Sequence, residues 1–415
     1  MVALVVARRI GRQWRSLIVF GWILLWLGMP GAARGLAPEW TQVAGMPTSR
    51  HSLAAGEIGG RILAVGGWTP SDVVGTNEEY DPGSDSWRTR APMPTARIAS
   101  GAGVVNGKLC VLGGHLADYT ISSTVEEYDP VSDAWTVRAP MPSGRERPGI
   151  GVVSGKLYAI GGWSVALNAT SVVEVYNPMT DTWTTKTSMP TARDPGGMAV
   201  VNGIIYVMGG YRTGAVLNLV EAYDPATDAW STMASMPTGV YAAAAAVVNG
   251  LIYLVGGSTW SIDYVPTVQV YDPSSNTWAA GSSLPAPRGN LGVAAVGCRI
   301  YAIGGGGAGL SVATVYRGHV LECEPPPYTG PIRVFPNSFQ RGRAVRGTVK
   351  FEGIPAGAAL RLYTVRGVRV WETESKGGVV EWDGKGSGGG PVSPGVYLWV
   401  VDGRGKRSTG KLVVE

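Results

Sequence analysis

The sequence predicts an all-β fold built from one repeated unit, and two periodic patterns carry this prediction. The first is a glycine pair that recurs every 47 or 48 residues, at Gly66-Gly67, Gly113-Gly114, Gly161-Gly162, Gly209-Gly210, Gly256-Gly257 and Gly304-Gly305. In the second, a Tyr is followed seven residues later by a Trp, and six residues after that by Met-Pro or Leu-Pro. A fixed period of nearly fifty residues is typical of an array of identical supersecondary units.

Each unit reads as four short strands. In the second unit, Asn106-Gly107 is a tight turn between two apolar runs, and the glycine pair ends the second run. The segment 124–128 alternates as a third strand, the segment 129–133 has turn chemistry, and Trp135 begins a fourth strand. Four strands with two large aromatic residues and no helical stretch predict one blade of a β-propeller.

The last unit is completed by the start of the repeat region. Tyr316 is present there, but Cys323 stands seven residues later, where a Trp is expected. Trp40 precedes Met46-Pro47 by the usual six residues. The sequence therefore predicts a six-bladed propeller that an N-terminal strand closes.

The repeats resemble the kelch family. The resemblance rests on the glycine pair after an apolar strand, the Val-Glu-x-Tyr-Asp-Pro strand end, the Trp, and Met-Pro-x-x-Arg before the next blade. The resemblance covers about residues 38–324 and implies a propeller of six or seven blades. Because this chain has six glycine pairs, we expect six blades. In kelch proteins the loops after the glycine pairs and before the first strands open onto one face, where ligands bind.

The flanking segments predict export and a second domain. Residues 1–35 order basic, apolar and small residues as a signal peptide does, with an uncleaved anchor as the alternative. Residues 36–324 form the propeller, residues 325–331 a proline-rich linker, and residues 332–415 a small Ig-like β-sandwich. Six strands are predicted in this tail, at 345–351, 359–364, 368–371, 379–382, 396–401 and 411–414.

The tail resembles the Ig-like domains of flagellar hook-capping proteins and of type IX secretion cargo. The resemblance rests on Val334-Phe335-Pro336-Asn337, Gly367-Val368-Arg369-Val370, Trp382-Asp383-Gly384, Gly395-Val396-Tyr397 and the segment 410–414. It implies a sorting or surface-attachment domain, and a plain accessory sandwich is the alternative. We expect a secreted or cell-surface protein, or a periplasmic one, of bacterial origin.

Charge and cysteine content exclude some classes of protein. The net charge of +5 comes from the first 35 residues, because the propeller carries a net charge of −7 and the tail one of +7. Nucleic acid is therefore not an expected partner, and no membrane span is expected once the signal peptide is removed. Three cysteines do not make a disulfide framework, although a Cys298–Cys323 bridge is one reading, and Cys110 is expected to be buried.

Candidate ligand-binding residues fall in the two loop types of the predicted face. The Met-Pro-x-x-Arg motif contributes arginines that suit carboxylate, sulfate or phosphate groups, or that pair with a blade acid. Aromatic residues at or near the glycine pairs suit sugars or protein hot spots, or pack the loops. The candidates are Arg50, Arg97, Arg145, Arg193, Arg288, Trp68, Trp163, Tyr211 and Trp260. No catalytic or metal-ligating motif is recognised, and no cofactor is expected.

Three functions remain open. The first is a non-catalytic, monomeric binding protein that recognises a protein or a glycan. The second is a carbohydrate-active enzyme of the sialic-acid mutarotase type, a kelch activity for which Glu146 and Asp194 beside arginines would transfer protons. The third is an architectural cell-surface component. Fold alone does not choose between them.

Overall fold

The computed structural model describes two β-rich regions of the chain. The described residues are 39–166, 168–260, 264–307, 310–320, 333–335, 338–339, 349–354, 356–365, 368–383, 385–388, 392–393, 395–403 and 406–414. They contain no helix, and so none that could cross a membrane. The predicted signal peptide, the proline-rich linker and Cys323 lie outside these ranges.

Twenty-eight strands lie between residues 39 and 319. In chain order they are β1 (Glu39–Val43), β2 (Ala54–Ile58), β3 (Arg61–Val65), β4 (Asn77–Asp81), β5 (Ser86–Arg90), β6 (Gly101–Val105), β7 (Lys108–Leu112), β8 (Val125–Asp129), β9 (Ala134–Arg138), β10 (Arg145–Glu146), β11 (Gly149–Val153), β12 (Lys156–Ile160), β13 (Trp163–Ser164), β14 (Val173–Asn177), β15 (Thr182–Lys186), β16 (Gly197–Val201), β17 (Ile204–Arg212), β18 (Ala215–Asp224), β19 (Ala229–Thr232), β20 (Ala244–Val248), β21 (Leu251–Val255), β22 (Val268–Asp272), β23 (Thr277–Ala280), β24 (Gly292–Val296), β25 (Arg299–Ile303), β26 (Gly306–Gly307), β27 (Leu310–Ser311) and β28 (Val315–His319).

Twenty-four of these strands form six four-stranded antiparallel sheets, numbered I to VI along the chain, and β10 with β13 and β26 with β27 form two two-stranded sheets. Sheet I is β2–β5, sheet II β6–β9, sheet III β11, β12, β14 and β15, sheet IV β16–β19, sheet V β20–β23, and sheet VI β24, β25, β28 and β1. The strand around Trp40 is the fourth strand of sheet VI, as its spacing predicts, with Trp40 opposite Gly318.

The sheets contact one another in cyclic order. Each first strand touches the next first strand, and β24 of sheet VI touches β2 of sheet I. Hydrophobic cores lie between successive sheets, and the core that contains Tyr80 and Tyr301 joins sheet I to sheet VI. This arrangement of four-stranded antiparallel sheets fits a β-propeller.

The repeated Tyr, Asp and Trp explain why the sheets hold together. In sheet II, the hydroxyl of Tyr128 donates to Asp133 at 2.6 Å, and the same carboxylate oxygen accepts the N–H of Ala91 from the preceding connection. The indole of Trp135 donates to the carbonyl of Ala91 at 2.8 Å. These bonds tie each sheet's outer turn to the segment that enters it.

One sequence assignment was wrong in sheet VI. Tyr316 pairs with Ala302, which is the register position of Glu78 opposite Ala64 in sheet I. Gly318 therefore occupies the position of the repeated Tyr. Cys298 is disulfide-bonded, whereas Cys110 is a buried free thiol. Burial is the main cause that raises the pKa of Cys110 to about 12.

The tail contains two sheets that share one core. The strands are β29 (Arg333–Phe335), β30 (Ser338–Phe339), β31 (Val349–Ile354), β32 (Ala359–Thr364), β33 (Arg369–Glu374), β34 (Gly378–Trp382), β35 (Gly395–Gly403) and β36 (Lys406–Val414). One sheet has the order β29-β31-β34 and the other β30-β36-β35-β32-β33. Phe351 of the first sheet and Trp399 of the second pack edge to face at 6.3 Å between ring centroids.

Candidate functional site

A cavity of about 220 Å³ is lined by the beginning of the first strand of every sheet. Small residues dominate these strand starts, and examples are Ala54, Gly101, Gly149, Gly197 and Gly292. Because the six segments converge there, the cavity is where side chains from different repeats can act on one ligand.

A chain of backbone hydrogen bonds surrounds the entrance to this cavity. Its members come two residues after the position of the repeated Arg, and all but Pro195 have φ values near +50°: Ser52, Ala99, Arg147, Pro195, Ala242 and Asn290. The N–H of Ala99 donates to Ser52, that of Arg147 to Ala99, that of Ser52 to Asn290, and that of Asn290 to Ala242. Proline has no N–H, so Pro195 cannot donate to the Arg147 carbonyl. The interruption lies next to the most polar part of the entrance.

Arg147 and Asp194 form an ion pair at this point. Nη1 of Arg147 lies 3.2 Å from Oδ2 of Asp194, whose side chain is 3% exposed against 33% for Arg147. Burial raises the pKa of Asp194 to about 6 in spite of the opposing effect of Arg147, and Glu146 raises it further. Burial also opposes the charge of Arg147, but Asp194 and Glu146 raise its pKa overall. Oδ1 of Asp194 accepts no hydrogen bond from the described residues.

A second acid lies beside this pair. Oε2 of Glu146 is 3.2 Å from Nε2 of His115, and the Glu146 side chain is 20% exposed. His51 faces the same entrance, and burial, followed by the charge of Arg147, lowers its pKa. The described entrance thus combines the partly exposed guanidinium group of Arg147 with the carboxylates of Asp194 and Glu146.

Three aromatic residues lie next to these acids, outside the set of residues that lines the cavity itself. Trp163 pairs with Glu146 and Tyr211 pairs with Asp194 through backbone bridges, which places both rings beside the acids. The ring centroids of Trp163 and Tyr211 are 6.1 Å apart, and those of Tyr211 and Tyr241 are 5.5 Å apart. We call these three residues the aromatic arc.

The predicted arginine ring does not lie at the surface. All five guanidinium-bearing side chains are at most 3% exposed, and they extend into the sheets instead of towards the cavity: Arg50, Arg97, Arg145, Arg193 and Arg288. Four of them pair with a buried acid of the third strand, as Arg50 does with Glu78 at 2.7 Å. Arg288 instead stacks on Tyr316, with Cζ 4.7 Å from the ring centroid.

Backbone carbonyls occupy the donors of these buried arginines, as Arg50 illustrates. Nη1 of Arg50 donates to the carbonyls of Gly66 and Thr76, and Nη2 donates to that of Ala64. The glycine pair therefore ends its strand with carbonyls that the Arg satisfies. The alternative expectation, an Arg that pairs with a blade acid, describes four of the five.

The predicted aromatic residues divide into two groups. Trp163 and Tyr211 belong to the aromatic arc. Trp68 bridges the backbone of His51 and packs against Val73 as part of a small apolar cluster. Trp260 is 56% exposed, and its carbonyl accepts a hydrogen bond from Ser258.

The entrance also contains Arg147, Tyr241 and Tyr264, which are not among the predicted site residues. Glu146 and Asp194 lie there too, and the sequence predicted them only as proton-transfer groups of the enzyme alternative. The ring of Tyr264 covers Gly289 and Gly306, where a Cβ would lie 2.3 and 2.7 Å from it. The signal that could have identified several of them is variation: the position after the repeated Arg reads His, Ile, Glu, Asp, Tyr and Gly in turn. Among the residues that the structure describes, no group of three or more His, Cys, Asp and Glu could hold a metal ion.

The repeat region matches models of the kelch family. Residues 49–94 and 96–142 match the Kelch motif, and residues 137–305 match the KLHDC2/KLHL20/DRC7 Kelch-repeats domain. Residues 49–305 of this chain therefore consist of kelch repeats. Comparison with curated protein sequences finds no significant match.

A solved structure supports the same architecture. The chain is similar to the protein in "Structure of YjhT", with a TM-score of 0.59 and 15% sequence identity. The match covers 66% of this chain and 95% of that chain. At this level of identity the likeness shows the fold alone.

Proposed function

We propose that this chain is an exported, monomeric, non-catalytic binding protein that recognises a glycan or a protein through the cavity entrance. The observation that carries the proposal is the aromatic arc beside the Arg147–Asp194 pair. Flat apolar rings next to a few polar groups in a concave site are typical of ligand recognition. The position of this site at the convergence of all six sheets supports one ligand per chain.

The finer architecture belongs to the same proposal. The six sheets are the blades of one closed propeller, with β1 as the closing strand. Residues 1–35 direct export, and the two-sheet tail is an Ig-like domain for sorting or surface attachment. The cyclic contacts between sheets and the shared core of the tail support this organisation.

A glycan array, together with a cell-surface binding assay, tests the proposed recognition. We expect the mature chain to bind a limited set of glycans, and the binding to be lost in Tyr211→Ala, which removes the centre of the aromatic arc. Met179→Ala is the control, because Met179 is 81% exposed in the turn between β14 and β15. Equal binding by both variants, or no bound glycan or protein, would contradict the proposal.

One observation favours an enzyme of the sialic-acid mutarotase type as the second candidate. A buried carboxyl whose pKa is about 6 can accept and donate a proton at neutral pH, and Asp194 lies beside a cation that could orient a substrate. Exchange spectroscopy on the anomers of N-acetylneuraminate tests it. Acceleration that Asp194→Asn abolishes would favour the enzyme, and no acceleration would leave the binding protein.

A further inference from the structure

The entrance contains a buried acceptor and a buried donor that the described residues leave without partners, Oδ1 of Asp194 and Nε of Arg147. Asp194 and Glu146 offer carboxylate oxygens, whereas the donors that reach them from the described residues are Nη1 of Arg147 and Nε2 of His115. A carboxylate only accepts hydrogen bonds and a guanidinium only donates them, so the pair of unsatisfied groups is best complemented by a group that does both, as a hydroxyl does.

The charge of the entrance points the same way. The five repeated arginines are withdrawn into the sheets, and four of them are neutralised by buried acids. Arg147 remains as the cation next to Asp194 and Glu146, so with both acids ionised these three groups sum to −1. An anionic ligand would meet like charges in a partly buried site, which costs binding energy.

The aromatic arc supplies the third element. Trp163 and Tyr211 are attached through backbone pairing to the two acids, so an apolar ring face and an acceptor come from the same pair of segments. A sugar ring presents an apolar face and a rim of hydroxyl groups. Its hydroxyls can donate to Glu146 and accept from the exposed edge of Arg147 at once.

We propose that the entrance selects a neutral sugar, whose hydroxyls bind Glu146 and Arg147 and whose ring packs on the aromatic arc, and that it rejects the corresponding acidic sugar. This inference rests on the proposed function, since it names the ligand class of that same site. It reverses the sequence-based expectation of carboxylate, sulfate or phosphate groups.

Matched sugar pairs test the inference at pH 7.5 by calorimetry on the mature chain. Glucose against glucuronate and galactose against galacturonate differ only in a hydroxymethyl or a carboxylate group, and N-acetylneuraminate is a further acidic probe. We expect a neutral member to bind at least about 10-fold more tightly than its acidic partner, a difference of about 1.4 kcal/mol.

A charge variant separates this mechanism from a structural role. Glu146→Gln should narrow the preference for the neutral sugar, because it removes one of the two repelling charges. Glu39→Gln makes the same charge change on an exposed residue of β1 and should leave the ratio unchanged. The ratio of two affinities in one variant does not depend on the total yield of folded protein.

The outcomes distinguish the inference from the proposed function. Tighter binding of an acidic sugar would overturn the inference while the binding function stands. No binding of any of these sugars, with none on the glycan array, would overturn both. A preference for the neutral sugar that Glu146→Gln leaves unchanged would overturn the role given to Glu146 and with it the inference.

Discussion

Arg97 donates a hydrogen bond to Glu126 at 2.7 Å, and neither side chain is exposed by more than 1%. Arg97 also donates to the carbonyls of Gly113 and Thr124 in the same sheet. Sheet V replaces this pair by a neutral one: Val240 stands at the Arg position, and Gln269 exchanges two hydrogen bonds with Thr238. The charged pair and the neutral pair are thus alternative solutions to one packing problem.

Arg97→Val should lower the free energy of unfolding by about 3–5 kcal/mol, because it leaves the charge of Glu126 buried and unpaired. The double variant Arg97→Val/Glu126→Gln should recover most of this loss, since it copies sheet V and Thr95 already donates to the Glu126 position. Urea denaturation measures both variants. Arg88→Gln, on a 52% exposed arginine that pairs with Glu79, should cost less than about 1 kcal/mol. A double variant no more stable than Arg97→Val would show that the neutral arrangement of sheet V cannot replace the charged pair of sheet II.

Closure of sheet VI by β1 predicts that the first strand is essential. Deletion of residues 36–47 removes the five-residue pairing with β28 and the bond from the Trp40 indole to the Ser282 carbonyl at 2.8 Å. We expect a large drop in melting temperature, measured by circular dichroism. Trp260→Ala is the control, because this exposed Trp lies in a loop and its loss should leave the melting temperature nearly unchanged.

The pKa of Asp194 predicts a pH-dependent contribution to stability. Its folded-state value of about 6 lies above its ordinary value of 3.8, so the protonated form is favoured by folding. The stability that protonation provides is fully present below pH 3.8 and is lost as the pH rises through about 6. The stability of the wild type relative to Asp194→Asn should therefore fall between pH 4 and 7, by at most about 1.4 kcal/mol per pH unit. Urea titrations across this range measure it.

A control with the opposite sign is available. The hydrogen bond from the Val131 N–H is the largest cause that lowers the pKa of Asp129. Asp129 is 31% exposed at the end of β8 in sheet II. The stability that Asp129 provides is present above its ordinary pKa and is lost as the pH falls. A parallel response of Asp194→Asn and Asp129→Asn would contradict the assignment.

Two glycines separate backbone strain from steric exclusion. Gly107 has φ +73° in an open turn where a Cβ meets nothing within 4 Å, so Gly107→Ala should cost about 1–2 kcal/mol. Gly114 has φ +88°, and a Cβ there would lie 2.4 Å from both the Ile98 carbonyl oxygen and the Ser100 hydroxyl. Gly114→Ala should therefore destabilise clearly more, as measured by denaturation. Equal losses of stability in the two variants would mean that Ile98 and Ser100 move aside to accommodate the methyl group, and would contradict the prediction.

The repeat pattern predicted the strands well because it is a packing pattern. The four-stranded unit and the role of Trp40 follow from residues that contact the same partners in each sheet. Predicted tail strand 359–364 is β32, and 379–382 lies within β34. The position of the repeated arginines and the pairing of Arg147 with Asp194 were harder to predict from the sequence than the strands were.

The arginines looked like surface residues because they stand in a connection, yet their long side chains reach back into the sheet. The sequence did contain a counter-signal, since Glu78, Glu126, Glu174 and Glu221 recur with them and Gln269 accompanies Val240. Asp194 and Arg147 could not be joined from sequence, because they are 47 residues apart and meet only where the sheets converge.

Pairing of β1 with β28 also constrains the order of events during synthesis. Thr41 lies opposite Arg317, so the first strand to leave the ribosome must wait for nearly three hundred further residues before its partner exists. At about 5–20 residues per second this interval is roughly 15–60 s. The backbone groups of β1 lack their hydrogen-bond partners for that long, which makes the strand a natural client for a chaperone. A chain that begins at β2 and carries β1 after β28 would not need one for this step.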